Sequence, residues 1–366
     1  MRVLIAGGGT GGHVIPALAI ARELSARYGA EILFVGTARG IENRLVPQAG
    51  YRLELVKVGA LKNVTVATRL RTLFGLPLAI LHARGIIRAF LPDVVVGVGG
   101  YASGPAMAAA ILGGIPTVAF EPNYVPGFAN KLVGHRVSAA AVHFDQTKHY
   151  FRNARVVGVP VRAEFFQAGQ RTGDAASSLL VFGGSQGAHA INEVMIAAIP
   201  AILRQIPGLH VIHQTGERDY NDVQAAYTRA GASAEVSAFI DNMPQAFARA
   251  CLVVCRAGAS TVAEIAAAGK PAIFVPFPRA ADDHQRRNAE AFANAGASVL
   301  IPESELTRER LTATITDLLS DRIRLQVMSE KAKALGHKDA AGEVAEMVAE
   351  LAGRDRNLGQ EQTTKA

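Results

Sequence analysis

The feature that most limits the fold is one pattern written twice. A short apolar run enters a glycine-rich turn and then an Ala-rich helical stretch, as VLIAGGGTGGH from Val3 and as LLVFGGSQGAH from Leu179. Strand, glycine turn and helix start are the opening of a βαβ unit, where glycine lets the backbone turn tightly at a helix N-terminus. Around each copy, apolar runs alternate with helical stretches. Strands are expected at 2–6, 31–35, 94–98, 117–120 and 139–143, and in a second series at 179–182, 210–214, 235–239, 252–255, 272–275 and 298–300. These runs are almost unbroken Val, Ile and Leu, as in strands covered on both faces. The alternation predicts right-handed crossovers and parallel sheets. The predicted fold class is therefore α/β, with two Rossmann-like domains in tandem. VVGVPVRAEF (156–165) is the linker, helix follows Leu311 to about Leu351, and a polar tail occupies 353–366.

Composition removes several classes. The 366 residues are 49% hydrophobic and 19% charged, enough to bury two cores without staples and too apolar for disorder. Cys251 and Cys255 lie four apart in a strand-like run, about 13 Å, beyond disulfide reach. They read as buried small hydrophobes in a reducing compartment. The opening has one Arg and a five-residue apolar run before its glycines, which is no secretory leader. The long uncharged stretch 94–120 is broken by Gly97, Gly99, Gly100, Gly104, Pro105, Gly113, Gly114 and Pro116, so it is not a membrane span. Charge is uneven. Residues 1–162 carry 18 Lys and Arg against 7 Asp and Glu, a net of +11, while the remainder carries 20 against 24, a net of −4. The first half should meet something anionic: nucleic acid, an anionic membrane or a phosphorylated substrate. The plainer reading is a solvated basic face.

Each motif has a functional and a structural reading. Gly7, Gly9 and Gly12 fit G-x-G-x-x-G, but a dinucleotide site needs an acid ending the second strand. Val35-Gly36-Thr37-Ala38-Arg39 stands there instead, which disfavours NAD and leaves NADP only through Arg39. A P-loop fails because His13 replaces the required Lys. What remains is a glycine-rich anion cradle at a helix start, tipped by a histidine able to take a proton from an attacking hydroxyl. Otherwise His13 bonds a neighbouring loop. Gly183 to Ala188 repeats the cradle with the Ser185 hydroxyl added, suiting a leaving diphosphate without metal, or else makes an ordinary tight turn. Thr261 and Glu264 form a T-x-x-E capping box, or Glu264 lies one turn inside a helix and accepts both hydroxyls of a ribose. Asp282-Asp283-His284-Gln285 reads as metal ligands, as a solvated loop, or as His284 and Gln285 bonding sugar hydroxyls. His210 and His213 fall on opposite strand faces and make no metal pair.

Taken in order, eight motifs resemble one family: Gly8 to His13, Gly99 to Pro105, Glu121-Pro122-Asn123, Asn130-Lys131, Gly183 to Ala188, His213 to Gly216, Cys255 to Glu264 and Ala280 to Asn288. The chain resembles, from about Arg2 to Leu351, the bacterial peptidoglycan glycosyltransferases that move N-acetylglucosamine from UDP-N-acetylglucosamine onto undecaprenyl-pyrophosphoryl-N-acetylmuramyl-pentapeptide to form lipid II. The resemblance implies a GT-B fold, parallel sheets facing a central cleft. It implies an acceptor domain at 1–160, a UDP-sugar domain at 161–336, and a C-terminal helix, about 337–352, packing back on the first domain. It implies inverting, metal-independent transfer, no cofactor and no nucleic acid. His13 and Glu121 are the implied catalytic residues. Thr10, Gly11, Gly12, Tyr101, Asn123 and Asn130 fall on the acceptor side. Arg162, Ser185, Gln186, Asn192, Arg256, Ser260, Thr261 and Glu264 fall on the donor side, with Glu264 at the ribose and His284 and Gln285 at the sugar. Ile240 would hold uracil through its backbone. Phe120-Glu121-Pro122-Asn123 departs from the His-Glu-Gln-Asn of some members. Peripheral attachment to the cytoplasmic face of an anionic membrane, through the apolar and basic 64–91 segment, is also implied, as are other cell-wall synthesis or division proteins as partners. An NADP oxidoreductase, another UDP-sugar transferase and a nonenzymatic nucleotide-sugar sensor are the alternatives.

Overall fold

The computed structural model describes residues 1–58, 66–168, 178–184 and 186–363, with side chains at these positions except 66–74 and 354–363. The chain divides into two units, Met1–Pro160 with Asp339–Ala366, and Val161–Lys338.

In the first unit the strands are β1 (Arg2–Ala6), β2 (Glu31–Gly36), β3 (Arg52–Leu55), β4 (Val94–Gly97), β5 (Thr117–Glu121), β6 (Ala139–Val142) and β7 (Ala154–Val156). They form one parallel sheet in the order β3-β2-β1-β4-β5-β6-β7. Its helices are α1 (Gly11–Tyr28), α2 (Glu42–Gln48), α3 (Val66–Phe90), α4 (Ser103–Leu112) and α5 (Phe128–Val133). Period-two burial puts Leu4, Ala6, Leu33, Val35, Val95 and Ala119 on one face. There they meet Ala83, Ile87 and Phe90 of α3 and Ala106, Met107 and Ala110 of α4.

The second unit repeats the plan. Its helices are α6 (Ala163–Ala168), α7 (His189–Gln205), α8 (Tyr220–Arg229), α9 (Met243–Arg249), α10 (Ala259–Ala268), α11 (His284–Asn294), α12 (Arg308–Ser320) and α13 (Arg322–Ala334). Its strands β8 (Ser178–Phe182), β9 (His210–Gln214), β10 (Ser233–Ser237), β11 (Leu252–Cys255), β12 (Ala272–Phe274) and β13 (Ser298–Leu300) lie parallel in the order β10-β9-β8-β11-β12-β13. Leu179, Val181, Val211, Leu252, Val254 and Ile273 pack under Ile191, Met195 and Ile199 of α7 and Leu311, Ile315 and Leu318 of α12. The last helix, α14 (Ala340–Thr363), belongs to the first unit. It packs on α1, where Arg27 bonds Asp339 at 2.8 Å, and Arg155 pairs with Glu350 at 2.7 Å.

Four sequence expectations need correcting. β3 and β7 were absent from the strand expectations because edge strands carry exposed polar positions, Arg52, Glu54 and Arg155 here, that break the apolar run. β10 lies two residues before the expected 235–239, its register set by pairing Ser233 with His210 through Ser237 with Gln214. The apolar Phe239 that drew the reading forward is 55% exposed. The helical run after Leu311 is three helices. Asp321 ends one and caps the next, accepting from the Arg324 amide at 2.9 Å. The backbone stays helical to Thr363, where a frayed end was expected. No helix among the described residues is long and apolar enough to cross a membrane.

Candidate active site

Every strand is parallel, so the turns leaving the C-terminal strand ends collect along one edge of each sheet. In both sheets the order reverses beside the first strand, β1 or β8. Ligands of open α/β sheets bind at that edge, at the reversal. The two glycine turns follow those two strands.

In the first unit the turns after β1 and β4 interlock. The Gly8 amide donates to the Gly99 carbonyl at 3.3 Å. A Cβ on Gly100 would come within 2.3 Å of the Gly8 carbonyl oxygen. His13 is the third residue of α1, after Gly11 and Gly12, and is half-buried. Its Nδ1 lies 3.2 Å from the hydroxyl of Thr10. Its ring rests on Gly99, where φ is +90° and a Cβ would lie 2.9 Å from Nε2. Only glycine tolerates both that backbone and that contact. Thr10, Gly12 and Tyr101 are exposed.

Glu121, one of the two expected bases, is buried and held at both oxygens. Its Oε1 accepts from the amide of Asn123 at 3.0 Å and from Asn123 Nδ2 at 3.1 Å. Oε2 accepts from the Gly127 amide and from Asn130 Nδ2, both at 2.9 Å. Burial pushes its pKa above the ordinary carboxylate value, and the four donors pull it back. Each oxygen is held by two N–H groups, so the carboxylate fastens the 121–130 turn. Asn130 is buried too, and its Nδ2 also bonds the Phe120 carbonyl at 3.0 Å.

In the second unit, Gln186 in the glycine turn is exposed, while Ser185 lies outside the described residues. Beneath the turn sits a polar network. Asn192 donates to the Thr215 carbonyl at 2.8 Å and to Asp219 at 2.9 Å, and its Oδ1 lies 3.0 Å from His213 Nε2. Its amide is thus spent within the protein. Burial drives His213 down to about 3, so it is neutral. Gln214 joins two loops, donating to the Gly184 carbonyl at 2.8 Å and accepting from the Ile240 amide at 3.0 Å. That leaves Ile240 its carbonyl rather than its N–H.

The capping-box alternative for Glu264 is not what forms. α10 starts at Ala259 behind Gly258, so Ser260 and Thr261 are already inside the first turn, and Glu264 is one turn further. Burial raises Glu264 to about 7, and the positive charge of Arg162 partly offsets this. Among the described residues Glu264 has no hydrogen-bond partner. Arg162 is exposed, with its guanidinium 5.3 Å above Phe165. Arg256 is committed internally. It donates to the carbonyls of Val275 and Pro276 and pairs with Glu303. Gln285 Oε1 accepts from the amides of Phe277 at 3.0 Å and Ala257 at 3.3 Å. His284 Nδ1 meets the Ala281 carbonyl. Asp282 and Asp283 have φ of +52° and +54°. Among the described residues no three His, Cys, Asp or Glu side chains gather as a metal site.

Two residues escaped the set of candidate site residues. Gln214 lay inside the His213 to Gly216 motif but was given no role of its own, and Glu42 was visible only as a lone acid after Gly36 and Gly40.

The glycosyltransferase family 28 N-terminal domain model matches residues 3–142, and the C-terminal domain model of the same family matches residues 178–344. A Myxococcus xanthus protein described as UDP-N-acetylglucosamine–N-acetylmuramyl-(pentapeptide) pyrophosphoryl-undecaprenol N-acetylglucosamine transferase is 47% identical over 356 residues, covering 96% of this chain and 93% of its own. A Geobacter metallireducens protein of the same description is 46% identical, covering 93% and 96%. The crystal structure of Acinetobacter baumannii MurG is similar with a TM-score of 0.81 at 33% identity, over 95% of this chain and 99% of that one. The α/β fold of two Rossmann-like units expected from the sequence is the fold observed, and it is that of the GT-B glycosyltransferases.

Proposed function

Because the chain belongs to glycosyltransferase family 28, we propose that it transfers N-acetylglucosamine from UDP-N-acetylglucosamine to undecaprenyl-pyrophosphoryl-N-acetylmuramyl-pentapeptide, forming lipid II. Transfer inverts the anomeric carbon. The acceptor hydroxyl oxygen bonds that carbon as its bond to the UDP β-phosphate oxygen breaks. The hydroxyl proton passes to a base, and UDP leaves with the bonding pair.

One observation carries the donor half: Glu264 is a half-buried carboxyl, raised by desolvation to about 7, that has no hydrogen-bond partner among the described residues. Such a group is costly unless a ligand supplies donors, and the two hydroxyls of a ribose supply two. The start of α7 suits the departing diphosphate, with the Ser185 hydroxyl by its place in the motif. Gln285 has its Nε2 to offer the sugar, its oxygen being engaged, and His284 lies beside it. Ile240 offers uracil its carbonyl. Asn192 and Arg256 act by holding the loops they bond.

On the acceptor side the geometry favours His13 over Glu121 as base. An imidazole fixed by Thr10 at Nδ1 can accept a proton, whereas Glu121 already has four donors. Thr10, Gly11, Gly12 and Tyr101 line the same turns, and Glu121, Asn123 and Asn130 hold the neighbouring one. The acceptor's polyprenyl chain stays in the bilayer, so the protein works as a peripheral enzyme at the cytoplasmic membrane face.

The test is turnover of UDP-N-acetylglucosamine with a short-chain lipid acceptor in EDTA, alongside thermal protection by UDP and by NADP. Turnover and protection by UDP alone are expected. Protection by NADP, or no transfer, would overturn the reading. Loss in EDTA with rescue by Mg²⁺ would return Asp282 and Asp283 as ligands.

A further inference from the structure

Glu42 opens α2 and is 1% exposed, yet nothing in the transfer described above uses it. Its Oε2 accepts from the Gly9 amide at 2.7 Å. Its Oε1 accepts from the Thr37 amide at 2.9 Å and the Thr37 hydroxyl at 3.0 Å. Among the described residues no cation pairs with it. A buried carboxylate without a counter-ion persists only when N–H and O–H donors surround it, as here. Three glycines make the room. A Cβ on Gly8 would lie 2.3 Å from Cδ of Glu42, one on Gly36 2.6 Å from Cγ, and one on Gly40 1.8 Å from Oε2. The Thr37 to Gly40 turn is itself tied down, its two carbonyls accepting from Asn43 Nδ2 at 2.7 and 2.9 Å.

Gly9 directly precedes Thr10, which sits at the N-cap position of α1 and whose hydroxyl lies 3.2 Å from His13 Nδ1. We propose that Glu42 is a positioning residue: its carboxylate pins the Gly8-Gly9 backbone and thereby holds the His13 imidazole against Gly99 in the pose for proton transfer. The same bond withdraws the Gly9 amide from any incoming phosphate. The proposal rests on the reading of His13 as the base.

Glu42→Gln keeps the size but turns one acceptor oxygen into an NH₂ that faces an N–H donor. In the folded variant kcat should fall at least tenfold, with the KM for UDP-N-acetylglucosamine within twofold of wild type, because the donor residues sit on the other unit. Thr37→Val removes one donor only, and kcat should fall about two- to threefold with the melting temperature nearly kept. The His13 imidazole resonances and their titration, followed by NMR without substrate, should shift in both variants. Wild-type kcat with unmoved His13 signals in either folded variant would overturn the proposal, as would a donor KM that rises in step with the loss of kcat. If Glu42→Gln does not fold, Thr37→Val decides. A wild-type protein without transferase activity would sink the function reading, while the NMR shifts would still decide the placement of His13.

Discussion

The two units fasten their turns with groups of different charge. In the first, the turns are gripped by buried carboxylates. Glu42 takes the amides of Gly9 and Thr37, and Glu121 takes those of Asn123 and Gly127. In the second, neutral amides do the work. Gln214 links Gly184 to Ile240, Gln285 takes Ala257 and Phe277, and Asn192 and Asn288 hold the Thr215 and Ala257 carbonyls. Asp219 also lies there, but it bonds the side chains of Asn192 and His189 rather than turn amides. A carboxylate only accepts, so it consumes N–H groups and leaves a negative charge behind. A primary amide both donates and accepts, so it joins a carbonyl to an N–H and leaves no charge. At an effective dielectric near 20, a fixed anion about 7 Å from a phosphate charge costs about 2 kcal/mol. Neutral fasteners therefore suit the unit proposed to meet UDP, where burial raises Glu264 and it has no hydrogen-bond partner among the described residues.

The largest effect should come from breaking a first-unit fastener. Glu121→Gln leaves a single acceptor oxygen among four donors, and each buried donor left unpaired costs about 1–3 kcal/mol. We expect urea denaturation to show a loss of about 3 kcal/mol, with activity falling as a consequence. Unchanged stability with kcat abolished would instead make Glu121 the base.

Next comes Glu264. Glu264→Gln should raise the donor KM tenfold or more, about 1.4 kcal/mol. Burial raises the folded-state pKa of this carboxyl above its unfolded value, so the group stabilises at low pH and loses that contribution as pH rises through about 7. Without ligand, the variant should therefore melt no lower than wild type at pH 8, and the wild-type donor KM should fall between pH 6 and 8 as the carboxylate ionises. A variant that melts lower at pH 8 with an unchanged KM would give Glu264 a purely structural role.

Exchanging the fastener types tests the comparison directly. Gln214→Glu puts a carboxylate against the Gly184 carbonyl and a negative charge beside the second glycine turn, proposed to meet the diphosphate. A roughly fivefold to tenfold rise in donor KM, relieved at low pH, is expected. An unaltered KM would mean that the charge of the fastener does not matter.

Sequence revealed the strands best where burial on both faces leaves an unbroken apolar run, as in residues 3–6 of β1 and in β11. It did not reveal edge strands such as β3, where Arg52 and Glu54 face water. The glycine turns were equally legible, since few folds need so many glycines after a strand. Whether a turn is a cradle or a clamped loop was not, because Gly9 is bonded by a residue 33 positions on and Gly184 by one 30 positions on. The Thr261–Glu264 spacing suits a capping box, but it says nothing of where α10 begins. Gly258 takes the cap position, and that placed Glu264 a turn further in.

The last prediction has the smallest effect on the chemistry and uses the other contrast between the halves, +11 in residues 1–162 against −4 beyond. On α3, Leu78 and Leu81 are 70% and 61% exposed, and Arg84 and Arg88 continue the same stripe into solvent, while Ala79, Ala83, Ile87 and Phe90 are buried. Leu70, Leu73, Phe74, Arg69 and Arg71, part of the segment expected to meet the membrane, lie outside the described side chains. Exposed leucines flanked by arginines suit an anionic bilayer surface, each Arg adding about 1 kcal/mol and each inserted apolar side chain adding its burial. Replacing Leu78 and Leu81 with Ser, and Arg84 and Arg88 with Gln, should weaken sedimentation with anionic vesicles. Turnover of a water-soluble acceptor should stay within twofold. The matching change on α13, Ile323→Ser with Arg322→Gln and Arg324→Gln, alters exposed residues of the acidic half and should leave vesicle binding as it was. If both sets weaken binding equally, the membrane face is not specific to the first unit. If neither does, α3 is not that face, and the acceptor lipid is reached by another part of the protein.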